Sequence, residues 1–343
     1  MPTLLFLTNR SERHQQAARE AAPPEIERIH FLRAPAKAEI LAAIPNADFL
    51  ISERAGVIDG EIIQAGKRLR LIQRLGSLTY DIDLDAAKAA GVPVCDLPLP
   101  GAVNVAEHLI WQILALLRRA HDGEAAILSP SPGTGEGTGL GVPSQRTDEN
   151  VFATDWSRRA GIRSLHGLTV GILGFGEIGV ETARRLRAFD CRMLYQKRVR
   201  LPEWVEKQLG IAYCAGDALY AQSDILCNLL PYSQTTDRLI DGAVFARMQP
   251  GSYLVNCGSG SVIDETALAA ALTAGHLAGA ALDTFEWEPL RPDNPLLALA
   301  RNPNANVVLT PHTAFLGGAG DRREEYDNIR RLLAGEALRN QVA

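Results

Sequence analysis

Three apolar runs of this sequence each lead into residues suited to proton or anion chemistry. Tyr253–Asn256 leads into Cys257-Gly258-Ser259-Gly260-Ser261, Leu277–Leu282 into Asp283, Glu286 and Glu288, and Val307–Thr310 into Pro311-His312. Upstream, Val170-Gly171-Ile172-Leu173-Gly174-Phe175-Gly176-Glu177-Ile178-Gly179 carries GxGxxG at Gly174, Gly176 and Gly179. Alone that pattern is weak. Here an apolar run precedes it, and Ile178, Ala183, Leu186 and Phe189 follow on one helical face. In that context Gly174 allows a tight turn, Gly176 lets backbone approach a pyrophosphate, and Gly179 lets helix and strand pack closely. The free N–H groups and positive dipole end of the helix, which opens at Glu177 and Ile178, suit phosphates. A dinucleotide site is expected.

The elements that must position these groups read as alternating strands and helices. In the first part, Leu4–Leu7, Phe49–Ile51, Leu71–Leu75 and Val92–Cys95 read as strands, and Ala36–Ile44, Asp59–Gly66 and Asp83–Ala90 as helices. A second series opens near Thr169, with strands at Val170–Leu173, Arg192–Tyr195, Ile225–Leu229, Tyr253–Asn256, Leu277–Leu282 and Val307–Thr310. Such alternation means parallel sheets with crossover helices. Asp264 is placed as an N-cap and Gly275 as a helix terminator. Between the series, Asn104 and Glu107 have capping-box spacing, followed by a helix over Ala106–Arg119 that is apolar nearly all round.

In open α/β sheets the carboxyl ends of the strands gather at the ligand crevice. A carboxylate, a histidine and a Gly/Ser loop should therefore converge beside the reactive end of a bound dinucleotide. Histidine is the natural proton donor to a carbonyl that receives hydride, and a neighbouring carboxylate favours the protonated ring. An acidic residue usually stands about 20 residues beyond the glycines to meet the adenosine ribose. Here Lys197, Arg198 and Arg200 stand there, which favours NADP(H) over NAD(H).

Composition narrows the classes. The 343 residues suit two domains, and 46% hydrophobic with 22% charged residues is ordinary for soluble globular proteins. A net charge of −5 gives no footprint for nucleic acid or an anionic membrane. No apolar run reaches the length of a membrane span, and the first residues lack the features of a signal peptide. Five cysteines, an odd number without CxxC spacing, suggest reduced thiols in a cytoplasmic protein and no zinc. From Ser129 to Gly141 the sequence collapses to Ser, Pro, Gly and Thr with a single Glu and a single Leu, and a low-complexity insertion around 129–147 is expected to be a mobile loop without catalytic function.

Taken together, these blocks resemble the D-2-hydroxyacid dehydrogenases over almost the whole chain. The resemblance is carried by Arg74-Leu75-Gly76-Ser77 through Ala87, Val103-Asn104-Val105-Ala106-Glu107-His108, Trp156 and Leu165–Gly171. Further matches are Leu230-Pro231 with Thr235-Thr236, Val255–Glu265, Leu282-Asp283 with Glu288-Pro289, and Thr310-Pro311-His312. The resemblance implies two doubly wound parallel-sheet α/β domains. A flavodoxin-like substrate domain would comprise 1–103 and 312–343, and an inserted Rossmann domain 104–311. A homodimer would form through the helix 106–119. It further implies Glu288 and His312 as acid/base pair, and Asp283 orienting the nicotinamide carboxamide. Leu230, Pro231, Thr236, Cys257 and Gly258 would lie beside the cofactor, and Gly76, Ser77 and Leu78 at the substrate.

Two departures stand out. Ser259 occupies the position of the family's arginine, which grips the substrate carboxylate in a bidentate manner that serine cannot reproduce. In the substrate loop Leu78 replaces a second glycine, and Tyr80-Asp81 replaces Asp-Asn. The expected function is therefore an NAD(P)-dependent oxidoreductase on a 2-hydroxy/2-keto acid or related small carbonyl, with altered substrate binding. The alternative is a weak or inactive dinucleotide-binding protein acting as a redox sensor or interaction module. Arg54 and Arg74, each following a strand of the first domain, are candidates for a replacement cation.

The insertion gives a first prediction. Deleting Pro130–Gly141 and joining the ends with a short linker should leave melting temperature and dinucleotide affinity unchanged, because the segment has nothing to bury. A large fall in melting temperature would refute this.

Overall fold

The computed structural model describes residues 2–128, 146–151, 154, 159–315 and 322–343; the 129–141 stretch and Trp156 lie outside the described residues. The chain divides into two units, Met1–Ala102 with Leu316–Ala343, and Val103–Phe315.

The first unit alternates β1 (Thr3–Thr8), α1 (Glu12–Ala21), β2 (Arg28–Arg33), α2 (Lys37–Ala43), β3 (Phe49–Ser52), α3 (Gly60–Ala65), β4 (Leu71–Leu75), α4 (Leu84–Ala89) and β5 (Val94–Leu97). The strands form one parallel sheet in the order β2-β1-β3-β4-β5. Both faces are covered. Leu5, Leu7, Leu50 and Ile72 pack on one side, and their neighbours Leu4, Phe6, Phe49, Ile51 and Leu71 on the other. This is why β1 and β3 read as nearly continuous apolar runs: period-2 alternation vanishes when both faces are buried.

The helix α5 (Pro100–Leu117) leads into the second unit, followed by α6 (Ala120–Leu128). Then come β6 (Thr169–Leu173), α7 (Glu177–Leu186), β7 (Arg192–Gln196), α8 (Glu203–Leu209), β8 (Ile211–Tyr213), α9 (Asp217–Gln222) and β9 (Ile225–Asn228). After α10 (Gly242–Arg247), β10 (Ser252–Asn256), α11 (Glu265–Thr273), β11 (Leu277–Leu282), α12 (Pro295–Ala300) and β12 (Val307–Leu309), the chain returns to the first unit for α13 (Asp327–Ala334). The seven strands are parallel, in the order β12-β11-β10-β9-β6-β7-β8. The strand order reverses between β6 and β9, the switch point at which α/β sheets hold ligands.

Local sequence accounts for the helix ends. Asp59, Asp83 and Asp264 accept from the Ile62, Ala86 and Ala267 amides at 3.1, 2.9 and 2.9 Å. Gly275, at φ +69°, takes the left-handed turn after α11. Two expectations need correction. Asn104 does not cap a helix, because α5 already starts at Pro100, whose fixed φ suits a first turn. β5 spans Val94–Leu97, not Val92–Cys95, since Pro93 has no N–H for a ladder. In α5, Leu109 and Ile113 are fully buried and Trp111 is 48% exposed.

The fully buried Arg74 side chain on β4 is ion-paired with Asp81 at 2.5 Å, and its Nη1 donates to Ser52 O and Oγ at 3.2 and 3.0 Å. The pair spans the turn of Gly76 (φ +121°), Ser77 and Leu78, the last two both buried. Arg54 lies over the Tyr80 ring at 5.4 Å. Both candidate replacement cations thus have partners inside their own unit. Asp81→Ala should leave a buried guanidinium without its counter-ion and cost about 3–5 kcal/mol. Urea denaturation would show this as a lower midpoint, and a loss below about 1 kcal/mol would mean that water reaches Arg74.

Candidate active site

The glycine loop sits at the carboxyl end of β6. Gly174 has φ +89°, and a Cβ there would stand 2.8 Å from Leu230 N, so the turn and its packing against the loop after β9 both require glycine. A Cβ on Gly176 would meet nothing within 4 Å, so space lies open where a pyrophosphate would approach. Gly179 packs on the Phe175 ring. Glu177 and Ile178 open α7, whose first-turn N–H groups face that end of the sheet. The loop after β9 continues through Leu230 and Pro231 to Thr236, whose hydroxyl donates to Pro231 O at 2.9 Å. These residues fit a dinucleotide.

At the end of β7 the basic run separates into two parts. Arg200 donates through Nε and Nη2 to the buried Glu206 at 2.9 and 2.7 Å, and Tyr195 Oη donates to the same carboxylate at 2.7 Å. Arg200 holds the Glu206 carboxyl below its usual range. Arg198, in the same basic run, is exposed.

The ends of β10, β11 and β12 build a cavity of about 400 Å³ lined by Cys257, Gly258, Ser259, Gly260, Thr284, Phe285, Glu286, Glu288 and His312. Close backbone packing shapes it, since a Cβ on Gly260 would lie 1.9 Å from the Phe285 carbonyl carbon. His312, at φ +52°, and Glu288 meet at 2.7 Å between Nδ1 and Oε2. Glu288 Oε1 also accepts from Phe285 N at 3.0 Å, which folds its loop back on itself. With Nδ1 donating to the carboxylate, Nε2 is the ring nitrogen of His312 left to take up or give a proton. The Ser259 amide donates to Leu230 O at 2.8 Å, joining the two strand-end loops.

Behind the cavity, Asp283 is 1% exposed. Its Oδ1 accepts from Thr310 Oγ1 at 2.6 Å and Thr313 N at 2.9 Å, and its Oδ2 from Ala314 N at 2.9 Å. Thr310, having donated its proton, accepts from His108 Nε2 at 3.1 Å and Gln112 Nε2 at 3.4 Å. Gln112 Oε1 in turn accepts from Cys257 Sγ at 3.2 Å. Burial pushes the Cys257 thiol well above its usual range, so it serves as a donor and not a nucleophile. Burial also lowers His108, against the pull of Asp283, which keeps that ring neutral with its proton on Nε2. Sequence reasoning did not pick out Gln112 or the role of Thr310. The signal was the i, i+4 spacing of His108 and Gln112 on one face of α5.

The structure thus brings Ser259, Cys257, Gly258, Asp283, Glu288 and His312 together, while Gly76, Ser77 and Leu78 belong to the other unit. Comparison with known proteins places the chain in a family. Residues 143–314 match the family model described as D-isomer specific 2-hydroxyacid dehydrogenase, NAD binding domain. A D-3-phosphoglycerate dehydrogenase of Archaeoglobus fulgidus is 32% identical over 88% of this chain, which spans about half (50%) of that relative's length. A glyoxylate reductase of Korarchaeum cryptofilum is 31% identical over 82% of this chain and 77% of its own. A solved glyoxylate reductase from Paecilomyes thermophila aligns over 100% of this chain and 99% of its own, at 26% identity and a TM-score of 0.52. Strand order, glycine loop, His312–Glu288 pair and these matches lead to one assignment: the chain belongs to the D-isomer specific 2-hydroxyacid dehydrogenase family.

Proposed function

We propose that this protein reduces a small 2-keto acid to the 2-hydroxy acid with a nicotinamide dinucleotide. The observation that carries this reading is the His312–Glu288 pair, 2.7 Å apart in a cavity at the strand ends of a dinucleotide-binding sheet. The cofactor supplies the hydride. Gly174, Gly176 and Gly179 with the α7 N-terminus would hold its pyrophosphate, and Lys197 and Arg198 its adenosine ribose. His312 delivers a proton from Nε2 to the carbonyl oxygen while Glu288 fixes the ring and stabilises the charged imidazolium. Gly76, Ser77 and Leu78 would offer backbone amides to the substrate. Two copies would assemble through α5, a reading supported by the exposed Trp111.

Lys197 and Arg198 stand where an acidic residue would accept from the ribose hydroxyls, and a 2′-phosphate gains charge-assisted bonds there. NADPH should bind at least about tenfold more tightly than NADH, a difference of about 1.4 kcal/mol. Fluorescence titration with both dinucleotides tests this, and equal affinities would reduce the two residues to a surface turn.

Ser259 provides one hydroxyl in place of a charged fork. The lost transition-state stabilisation is about 3 kcal/mol, roughly a hundredfold in rate. Wild-type turnover of glyoxylate, pyruvate or hydroxypyruvate should therefore be slow. Ser259→Arg should raise kcat/KM substantially, and His312→Ala in that background should abolish the gain. The reading fails if neither wild type nor Ser259→Arg oxidises NADH or NADPH with any of these acids.

A further inference from the structure

With serine at position 259, the cavity is lined by two carboxylates, Glu286 and Glu288, and a single imidazole. Such a site repels an anionic substrate unless a cation offsets the negative charge. One cation is anchored at this cavity in a way the sequence did not reveal. Arg238 lies in the turn between Thr236 and α10, and its backbone N–H donates to Ser261 O at 2.8 Å, which ties it to the loop of Ser259. Its φ is +46°, a left-handed conformation that a non-glycine residue holds only when its surroundings impose it.

The guanidinium reaches Glu286 through Nη2, at 3.0 Å to Oε1 and 3.3 Å to Oε2. Both contacts use the same amino group, so Nε and Nη1 keep their N–H donors for an anion. The Arg238 side chain is 57% exposed and its partner's 28%. The anchor itself is fixed: Glu286 N donates at 2.8 Å to Glu265, a buried carboxylate that also accepts from Asn294. A full positive charge is thereby held 3.0 Å from a side chain that lines the cavity. Arg291, on the same strand-end loop, instead stacks over the exposed Trp287 ring at 3.8 Å.

We infer that Arg238 is the carboxylate-binding cation of this site, standing in part for the arginine missing at Ser259, with Glu286 as its orienting partner. The ligand class is a small 2-keto or 2-hydroxy carboxylate. The inference rests on the proposed reductase reading, but its test does not depend on turnover.

The test is calorimetric titration of oxamate, a non-reducible 2-keto acid analogue, into the full chain saturated with NADH or NADPH. Arg238→Gln should weaken oxamate at least about tenfold. Dinucleotide affinity and melting temperature should stay at wild-type values, and Arg291→Gln should bind oxamate as wild type does. In turnover, Arg238→Gln should raise KM for hydroxypyruvate and leave its neutral analogue hydroxyacetone unaffected. Wild-type oxamate affinity in Arg238→Gln would overturn the inference. So would an equal loss in Arg291→Gln, a parallel loss of dinucleotide binding, or no oxamate binding by wild type. If oxamate binding depends on Arg238 but no keto acid is reduced, the inference stands and the reductase reading falls.

Discussion

The site depends on one buried carboxylate. Asp283 ends β11 and gathers the Thr310 hydroxyl and the Thr313 and Ala314 amides, so the chain leaving β12 must bend around it. His312 lies inside that bend, its amide donating to Asp283 O at 2.9 Å. A carboxyl group at 1% exposure is tolerable only when it is hydrogen-bonded, and these three donors meet both of its oxygens. The imidazole is therefore positioned by the backbone, and the Glu288 contact adds orientation to a place already set. An alanine at 283 would leave those amides without their acceptor and loosen the loop.

Two electrical environments adjoin here. The chain of His108, Thr310, Gln112 and Cys257 is mostly buried, with the thiol kept protonated and the His108 ring kept neutral by loss of water. Such a network ties α5 to the ends of three strands without adding charge. In front of it, Glu288 and His312 are 36% and 53% exposed, where water moderates their charge. A reaction that develops charge on one imidazole is well served by a neutral wall behind and a solvated, carboxylate-backed ring in front. Glu265 repeats the arrangement one layer out, where burial raises its carboxyl while two donors from the next loop hold it.

Much of this was legible in the sequence because the relevant signals are local. An apolar run, GxGxxG and a helical face together specify a strand, turn and helix, and Asp264 with Gly275 marked both ends of α11. The strands at Leu71–Leu75 and Leu277–Leu282 were readable to the residue: the second is an unbroken run of apolar and small residues, and in the first leucines bracket Gln73 and Arg74. The edge strands β2 and β8 were not. Arg28–Arg33 mixes charge with apolar residues because an edge is half solvated, and Ile211–Tyr213 is too short to show a pattern. At the site, His312, Glu288 and Ser259 were marked by following strands. Arg238 was not, because its meaning comes from an ion pair 48 residues away in sequence. The pairing of Arg74 with Asp81 escaped for a related reason: burial decides whether an arginine is a ligand or a strut, and burial is a tertiary property.

The first unit is assembled from two separated pieces of chain, and the seams are long. Tyr326 Oη donates to Ala18 O at 2.6 Å, Arg322 pairs with Glu53 at 2.9 Å, and Asn328 donates to Gln73 at 2.9 Å. During synthesis the second unit, a continuous stretch, has all its strands before the closing piece emerges. The first unit has its five strands early, but the apolar face of Leu4, Phe6 and Ile51 waits for Tyr326 and Ile329 to cover it. Closing such a loop costs little more than closing a shorter one, since the entropy grows only as the logarithm of length, and a folded insert holds its ends together in advance. The order of maturation is thus built into the topology: the continuous second unit has its whole chain before the divided first unit can be completed.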